Sequence, residues 1–163
     1  MSIKMRNMVA DYLNVSTESS EDYALMGAGF TKLDEKPNAK SKGKKYICDS
    51  SETKTIVGYE VSFPFETDLI KEEKVIKYIV DIAKNLKIGS DAETDYIKVD
   101  LDEKASESET SYKARKFKVA IEVDEISDDE GQMGVKGTLL GKGNPVQGTF
   151  DIQTRKFTPE VKK

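Results

Sequence analysis

Residues 114–126 read ARKFKVAIEVDEI, and this stretch decides the fold. Its apolar side chains fall on every second position and therefore share one face of an extended chain: Phe117, Val119, Ile121 and Val123. Charged side chains occupy most of the positions between them: Lys116, Lys118, Glu122 and Asp124. One apolar and one charged face with a period of two predict a strand that is buried on one side.

The same period recurs at 53–65, where the apolar positions are Val57, Tyr59, Val61, Phe63 and Phe65. We predict one half-buried strand there. Weaker alternation predicts strands at 94–102, 132–141 and 146–152, and a short segment around Phe157 follows a turn. Residues 23–33 predict a strand bent at a glycine, and 46–49 a short strand that packs Cys48 in the core.

Two glycine-containing segments separate the C-terminal strands. They are residues 128–131 (DDEG) and 141–145 (GKGNP), and both are typical of hairpin connections. Strands joined by such short links run antiparallel, because a parallel crossover needs a dozen or more residues. The C-terminal half is therefore predicted to be an antiparallel meander.

Only residues 70–87 change to a period typical of a helix. The apolar residues recur at spacings of three and four, and they are Val75, Ile76, Ile79, Ile82, Ala83 and Leu86. Acidic residues near the start, Lys84 and Lys87 near the end and Gly89 just beyond agree with the helix dipole and with a stop signal. We expect one amphipathic helix that packs on the sheet or closes the mouth of a barrel.

The remaining segments complete a single domain over residues 1–163. Residues 1–20 are expected to form an N-terminal arm, 34–45 a long basic loop and 103–111 an acidic, serine-rich loop. No internal repeat or linker separates two cores. The predicted fold class is mainly β: an antiparallel sandwich or barrel with one flanking amphipathic helix.

Composition excludes several classes of site. The chain has no His and one Cys, so zinc sites built from His and Cys, Ser-His-Asp relays and intrachain disulfides are excluded. A net charge of -4 argues against attraction of the whole surface to nucleic acid. No stretch approaches the roughly 18 apolar residues of a membrane span, and residues 1–14 lack a secretory signal. We expect no membrane anchor and a cytosol-like compartment.

Carboxylates are the only candidates for catalysis, and the densest clusters are Asp100, Asp102 and Glu103 and the 128–130 run. A glycosidase would need two rigidly held carboxyl groups in a sugar-binding cleft, usually with aromatic platforms, and the chain has no Trp. A carboxylate hydrolase would lose turnover in Asp102→Asn or Asp128→Asn. This is the weakest alternative. The spacing around Gly131 does not match a calcium loop, and that at 141–143 does not match a phosphate loop. We expect no enzymatic activity and no cofactor or metal.

The sign of the charge divides the surface. Basic candidates for contact with a partner are Lys36, Lys40, Lys42, Lys44 and Lys45. Acidic candidates are Asp102, Glu103, Asp128, Asp129 and Glu130. Loops of opposite sign on one small domain suit a head-to-tail contact between copies, which closes rings or extends filaments. For the basic segment, a solvated loop remains an alternative, and nucleic-acid binding is the least favoured one. For the whole protein, a soluble binding module remains an alternative.

Several segments together resemble the major tail tube proteins of bacteriophages of Gram-positive hosts. They are 23–39 (YALMGAGFTKLDEKPNA), 45–47 (KYI), 58–66 (GYEVSFPFE), the helix, 137–139 (GTL) and 148–150 (GTF). The likeness runs from about residue 23 to 158 and rests on fold and assembly signatures. None of these segments is catalytic.

The resemblance implies a tail-tube fold, in which hexameric rings merge their inner sheets into one barrel and stack into a tube. DNA would pass through this tube without specific binding. The long loop between the early strands, here 34–45, would reach the next ring. Other implied partners are tail terminator, baseplate or tail-tip, tape measure and sheath proteins. The implied location is the virion tail, after assembly in the host cytoplasm.

The same fold serves in contractile tails, tail-like bacteriocins and the type VI secretion system. The alternative function is therefore the tube of a bacteriocin-like or secretion-like injection apparatus that carries no DNA.

Overall fold

A computed structural model describes residues 1–105 and 108–162. The strands are β1 (Val9–Asn14), β2 (Tyr23–Leu25), β3 (Phe30–Leu33), β4 (Ala39–Lys44), β5 (Thr53–Tyr59), β6 (Ser62–Asp68), β7 (Glu93–Lys104), β8 (Ser111–Asp129), β9 (Gln132–Asp151) and β10 (Lys156–Pro159). One helix, α1 (Lys74–Lys84), precedes β7, and short 3-10 turns lie at Arg6–Met8 and Gly89–Ala92. The prediction of a mainly β domain with one helix is confirmed.

The main sheet is an antiparallel half-barrel with the strand order β2-β1-β7-β8-β9-β6-β3. Strand β10 adds to β9, while β4 and β5, among the described residues, pair only with each other. Strand β7 pairs with β8 and β8 with β9, so the predicted C-terminal meander is present. The turn at 128–131 is the predicted hairpin, in which Asp129 pairs with Gln132.

Two apolar clusters lie on opposite faces of the sheet, because neighbouring residues of a strand point to opposite sides. On one face the helix residues Ile76 and Ile79 pack with a cluster that includes Phe63 and Phe117. On the other face Ile97 packs with Phe150 from the bent end of β9. The predicted packing of the helix on the sheet is confirmed.

The helix is shorter at both ends than the predicted 70–87. It begins at Lys74, after a turn at residues 71–72. It ends because Leu86 takes a positive φ of 50°, and the Lys87 N–H donates to the Ile82 carbonyl at 3.1 Å. No helix in the described part of the chain has the length and apolarity to cross a membrane.

The single half-buried strand expected at 53–65 is wrong. The chain forms two strands there, and only β6 lies in the main sheet, where it buries Phe63 and Phe65. Strand β5 is exposed and pairs with β4, which occupies half of the expected loop at 34–45. Alternation specified extended backbone correctly, but it did not specify which surface would cover the apolar side chains.

The hairpin expected at 141–145 is also wrong, because β9 runs through these residues without reversing. The register shifts between the pairs Lys116–Val146 and Lys118–Lys142, so the extra residues form a bulge. Gly143 takes a positive φ of 72° within it. Glycine and proline mark a bulge as readily as a turn.

Three further expectations are corrected. Residues 1–20 contain β1, which pairs with β2 and β7 and buries Leu13, so they are not a free arm. Residues 46–49 form a turn instead of a strand, and Cys48 is exposed. The acidic loop at 103–111 begins later than expected, because Glu103 still belongs to β7; residues 106 and 107 lie outside the described residues.

Candidate assembly surfaces

Strands β4 and β5 form a two-stranded ribbon outside the main sheet, and we call residues 39–59 the arm. Every residue of β4 is exposed, and β5 is exposed except at the half-buried Gly58. An isolated two-stranded ribbon is marginally stable in water, so a partner surface would stabilise the arm.

A row of lysines occupies one face of the arm. Lys40, Lys42 and Lys44 alternate along β4, and the strand register places Thr55 opposite Lys42 and Thr53 opposite Lys44. The arm therefore presents a basic face to solvent. Lys40 lies 3.2 Å from Glu60 at the base of the arm.

The other two basic candidates flank this row. Lys45 follows it in the turn, and Lys36 precedes the arm and pairs with Ser62 of β6. Four of the five candidate lysines therefore belong to the arm.

The opposite face of the arm is partly apolar. Ser41 pairs with Ile56 and Ala39 with Tyr59, and the exposed fractions are 53% for Ile56 and 66% for Tyr59. Sequence reasoning assigned Tyr59 to the core and so missed this surface. The sequence carried no local signal that separates the two strands, because the alternation continues unbroken from the exposed β5 into the buried β6.

The arm joins the body at a hydrogen-bonded root. Lys36 and Ser62 exchange main-chain hydrogen bonds of 2.8 and 2.9 Å. Asn38 takes a positive φ of 50°, a conformation that asparagine tolerates better than most residues. Its side-chain amide donates to the Glu60 carbonyl and the Ser62 hydroxyl, both at 2.9 Å.

The hairpin between β8 and β9 ends in a tight acidic turn, residues 128–131. Glu130 and Gly131 both have positive φ, 51° and 87°, as a type I′ turn requires. The Gly131 N–H donates to the Asp128 carboxylate at 3.0 Å. Asp128, Asp129 and Glu130 are exposed, and none forms an ion pair within residues 1–105 and 108–162.

The other acidic pair, Asp102 and Glu103, is already matched by lysines of the same chain. Lys4 Nζ lies 2.8 Å from Asp102 Oδ1, and this hydrogen bond lowers the pKa of Asp102. Lys113 Nζ lies 3.1 Å from Glu103 Oε2. This pair therefore presents less free negative charge than the acidic turn.

Strand β8 relates these surfaces to one another. At its middle, Ala120 pairs with Leu140, which in turn pairs with Ser62 at the root of the arm. Asp129, in the acidic turn, lies on the order of 30 Å along the strand from Ala120. Strand β5 continues into β6 without an intervening turn, and β6 runs towards the acidic turn. The arm therefore leaves the body near the middle of β8, on the side of Ser62 that points away from the acidic turn.

The Asp102–Glu103 pair lies at the other end of β8 from the acidic turn. Strand β7 reaches this end, where Asp100 pairs with Lys113. Asp102 and Asp128, the residues considered for hydrolysis, are therefore far apart. In the described part of the chain, no group of three or more potential ligands could hold a metal ion.

Beyond the second apolar cluster, the part of the β6–β9–β8–β7 face opposite the helix is not covered by any described residue, and we call this part the uncovered face. It carries charged side chains, which include Glu66, Glu93, Lys118, Glu122, Lys136 and Lys142. Lys142 pairs with Glu93, and Lys136 lies 3.9 Å from Glu66. Near the acidic turn the pKa of Glu122 is raised, chiefly by a hydrogen bond with Asp124. Glu122 and Asp124 are therefore close together, and carboxyl groups are more numerous towards that end.

The chain matches no protein-family model and no curated protein sequence. Among solved structures, it is similar to a chain in the tail of an empty GTA particle that was refined as a helix with C6 symmetry. The identity is 9%, the match covers 88% of this chain and 97% of that chain, and the TM-score is 0.59. The expected tail-protein fold is confirmed.

A second match is a chain in the sixfold-symmetrised baseplate of the anti-feeding prophage. It is 6% identical, covers 94% of this chain and 99% of that chain, and has a TM-score of 0.45. Because the identity to the GTA chain is also low, the comparison establishes the fold alone.

Proposed function

We propose that this protein is the structural subunit of a phage-like tail tube, assembling as hexameric rings that stack into a channel for the genome. The observation that carries the proposal is that the basic arm leaves the body on the side away from the acidic turn at the end of β8 and β9. Opposite charges that point in opposite directions make each copy complementary to the next in a head-to-tail stack. The chain that shares the fold comes from a tail of C6 symmetry.

The contact between rings joins the arm of one copy to the acidic turn of the next. The lysine face at Lys40, Lys42 and Lys44, with Lys45 in the turn, meets Asp128, Asp129 and Glu130. Asp102 and Glu103 have no part in this contact, because they lie away from the acidic turn and pair with Lys4 and Lys113.

The contact within a ring joins the two edges of the sheet. Strands β2 and β3 are the short strands at these edges, and their outer main-chain groups are open to pairing. Side-by-side association of these edges makes the sheets of neighbouring copies continuous.

The uncovered face lines the channel, and the helix lies on the outside. Glu122 and Asp124 give the channel an acidic wall near the acidic turn, while Lys136 and Lys142 are neutralised by partners. A negative wall repels DNA phosphates, so the genome passes without being held.

Residues 1–163 form one tube domain, and its role is structural instead of catalytic. The subunit assembles in the host cytoplasm and resides in the particle tail. Its further partners are the proteins that terminate, measure, cap or, in a contractile tail, sheathe the tube.

Negative-stain microscopy of the purified protein tests this function. We expect hollow filaments or stacked rings on the order of 10 nm wide, given several domains arranged around a pore. Higher salt should shorten them, because exposed charge pairs are screened. A protein that remains monomeric across salt and pH would contradict the proposal.

Charge reversal tests the contact between rings. Lys40, Lys42, Lys44 and Lys45 are changed together to Glu, and we expect folded protein that no longer stacks. The matched control reverses four exposed lysines outside the arm: Lys71, Lys77, Lys156 and Lys162. Normal filaments from the arm variant at low salt would show that the arm is not the stacking element.

A second reversal tests the assigned partner. Adding Asp128→Lys, Asp129→Lys and Glu130→Lys to the arm variant restores opposite charges across the contact, so stacking should return. Adding Asp102→Lys and Glu103→Lys instead should not restore it. Rescue by the second set alone would assign the contact to the other end of β8.

A further inference from the structure

The root of the arm is tied to the centre of the sheet by one ion pair between distant residues. Glu35 lies between β3 and the arm, and Arg115 lies on β8. The two guanidinium nitrogens of Arg115 donate to the two carboxylate oxygens of Glu35 at 2.7 and 3.0 Å. Such a two-pronged pair fixes the angle of both groups as well as their separation.

Arg115 is itself held in place. Its guanidinium lies 5.4 Å from the ring centre of Phe117, which is buried in the core. Lys98 of the neighbouring strand adds a second cation, with its Nζ 3.9 Å from Glu35 and 3.8 Å from the buried Asp11. The Asp11 carboxylate also accepts hydrogen bonds from Arg6 and from the Tyr96 hydroxyl. Glu35 therefore enters a largely buried network that belongs to the body.

The other hydrogen bonds at the root do not make this connection. In the segment that enters the arm, residues 34–38, the Asp34 N–H donates to the Pro64 carbonyl and the Lys36 N–H to the Ser62 carbonyl, and both acceptors belong to β6. In the segment that returns to the body, the Val61 carbonyl accepts from the Gly141 N–H of β9 at 2.9 Å. Among the described residues, the entering segment forms hydrogen bonds or ion pairs with β7 and β8 only through Glu35.

We propose that Glu35 and Arg115 are positioning residues that set the direction of the arm relative to the sheet. This inference rests on the proposed function, in which the arm reaches the next ring. The returning segment is fixed to β9 through Val61, and the Glu35–Arg115 pair fixes the entering segment to β8. With both segments fixed, the arm projects in one direction. With only the returning segment fixed, the arm pivots about Val61.

A distance measurement tests the direction of the arm without requiring assembly. Cys48 is the only cysteine and lies exposed in the turn of the arm, so a spin label can be attached there. A second label at Lys77→Cys marks the exposed side of α1. Pulsed electron spin resonance then gives the distribution of arm-to-body distances in dilute monomer.

We compare Glu35→Gln and Arg115→Lys with the parent chain. Each keeps nearly the parent volume but removes the two-pronged ion pair, and circular dichroism checks that the sheet remains folded. The control is Glu93→Gln, which removes a carboxylate that pairs with Lys142 on the uncovered face. We expect the distance distribution to broaden about twofold in both test variants and to stay unchanged in the control. The concentration needed for filaments should rise about tenfold in the test variants.

Unchanged distributions in both test variants would overturn the positioning role, whatever happens to assembly. Broadened distributions with impaired filaments support it. If the two variants broaden the distribution but the parent protein never forms filaments, the positioning role is supported and the proposed tube function is contradicted. The two failures are therefore distinguishable.

Discussion

Strands β5 and β8 carry the same kind of alternating sequence, yet their apolar side chains have opposite fates. In β8, Phe117, Val119 and Ile121 are buried beneath the helix and neighbouring strands. In β5, Ile56 and Tyr59 are exposed to solvent, and the only described strand that pairs with β5 is β4. The body therefore completes its own core, while the arm displays surfaces that only another molecule would cover.

The sharpest test of this contrast places the same charge in both regions. Ile79→Asp buries a carboxylate in the core, where the parent side chain is 0% exposed, and should cost more than about 4 kcal/mol. We expect it to unfold the subunit, as measured by circular dichroism and chemical denaturation.

The matched variant is Ile56→Asp on the arm. It should change the free energy of unfolding by less than about 0.5 kcal/mol, because the site is exposed in the monomer. A folded, assembling Ile79→Asp protein would mean that the helix stripe is not core. Equal destabilisation by both changes would remove the distinction between arm and body.

Within the body, two buried tyrosines should respond differently to loss of their hydroxyl groups. The Tyr96 hydroxyl donates to the buried Asp11, and burial raises the pKa of Tyr96. Tyr96→Phe should therefore cost about 1 to 3 kcal/mol, because Asp11 loses a partner. The Tyr23 hydroxyl is buried without a hydrogen-bond partner among the described residues. Tyr23→Phe should be neutral or stabilising by up to about 1 kcal/mol, and a loss as large as that of Tyr96→Phe would contradict the difference.

Where the arm meets the body, stability should depend on pH through Glu35. Burial alone would raise the pKa of Glu35, but the hydrogen bonds and charge of Arg115, with the charge of Lys98, lower it. A lowered folded-state pKa gives stability that is present above the unfolded value near 4.3 and is lost as pH falls through the folded value.

The measurement compares the parent with Glu35→Gln by urea denaturation between about pH 7 and pH 3. The parent should be more stable by about 1 to 2 kcal/mol at pH 7, and the difference should shrink as the pH falls below about 4. A difference that stays constant over this range would show that ionised Glu35 does not stabilise the fold.

The smallest expected effect is at the end of the helix, where the body exposes an apolar residue for a backbone reason. Leu86 is 82% exposed and has a φ of 50°, a conformation that favours glycine. Leu86→Gly should stabilise the monomer by about 0.5 to 1 kcal/mol in thermal unfolding and leave filament formation unchanged. Loss of filaments without loss of stability would instead identify Leu86 as a contact residue, like those of the arm.

Local patterns in the sequence predicted the elements whose signals are complete within a few residues. The hairpin at 128–131 has turn residues between two strong strands, and the helix has both a period and a stop signal. The row of candidate lysines was also local: three of its members lie on the exposed strand β4, and Lys45 directly follows it.

The remaining features depend on contacts between distant residues. Whether residues 141–145 reverse the chain or bulge depends on the register with β8, which short segments do not encode. The exposure of Ile56 depends on the absence of a covering layer in its own chain. Glu35 and Arg115 are 80 residues apart, so no spacing rule connects them.

Disulfide cross-linking tests the contact between arm and acidic turn most directly. The native Cys48 lies in the turn of the arm, and Asp129→Cys places a second thiol in the acidic turn. Under mild oxidation at low salt, this variant should give a ladder of dimers, trimers and longer species on a denaturing gel. Two controls should give no ladder. One is Asp102→Cys, which places the second thiol at the other end of β8, and the other is the double variant Cys48→Ser with Asp129→Cys, which lacks the thiol of the arm. A ladder from Asp102→Cys, or none from Asp129→Cys in assembled material, would contradict the head-to-tail contact.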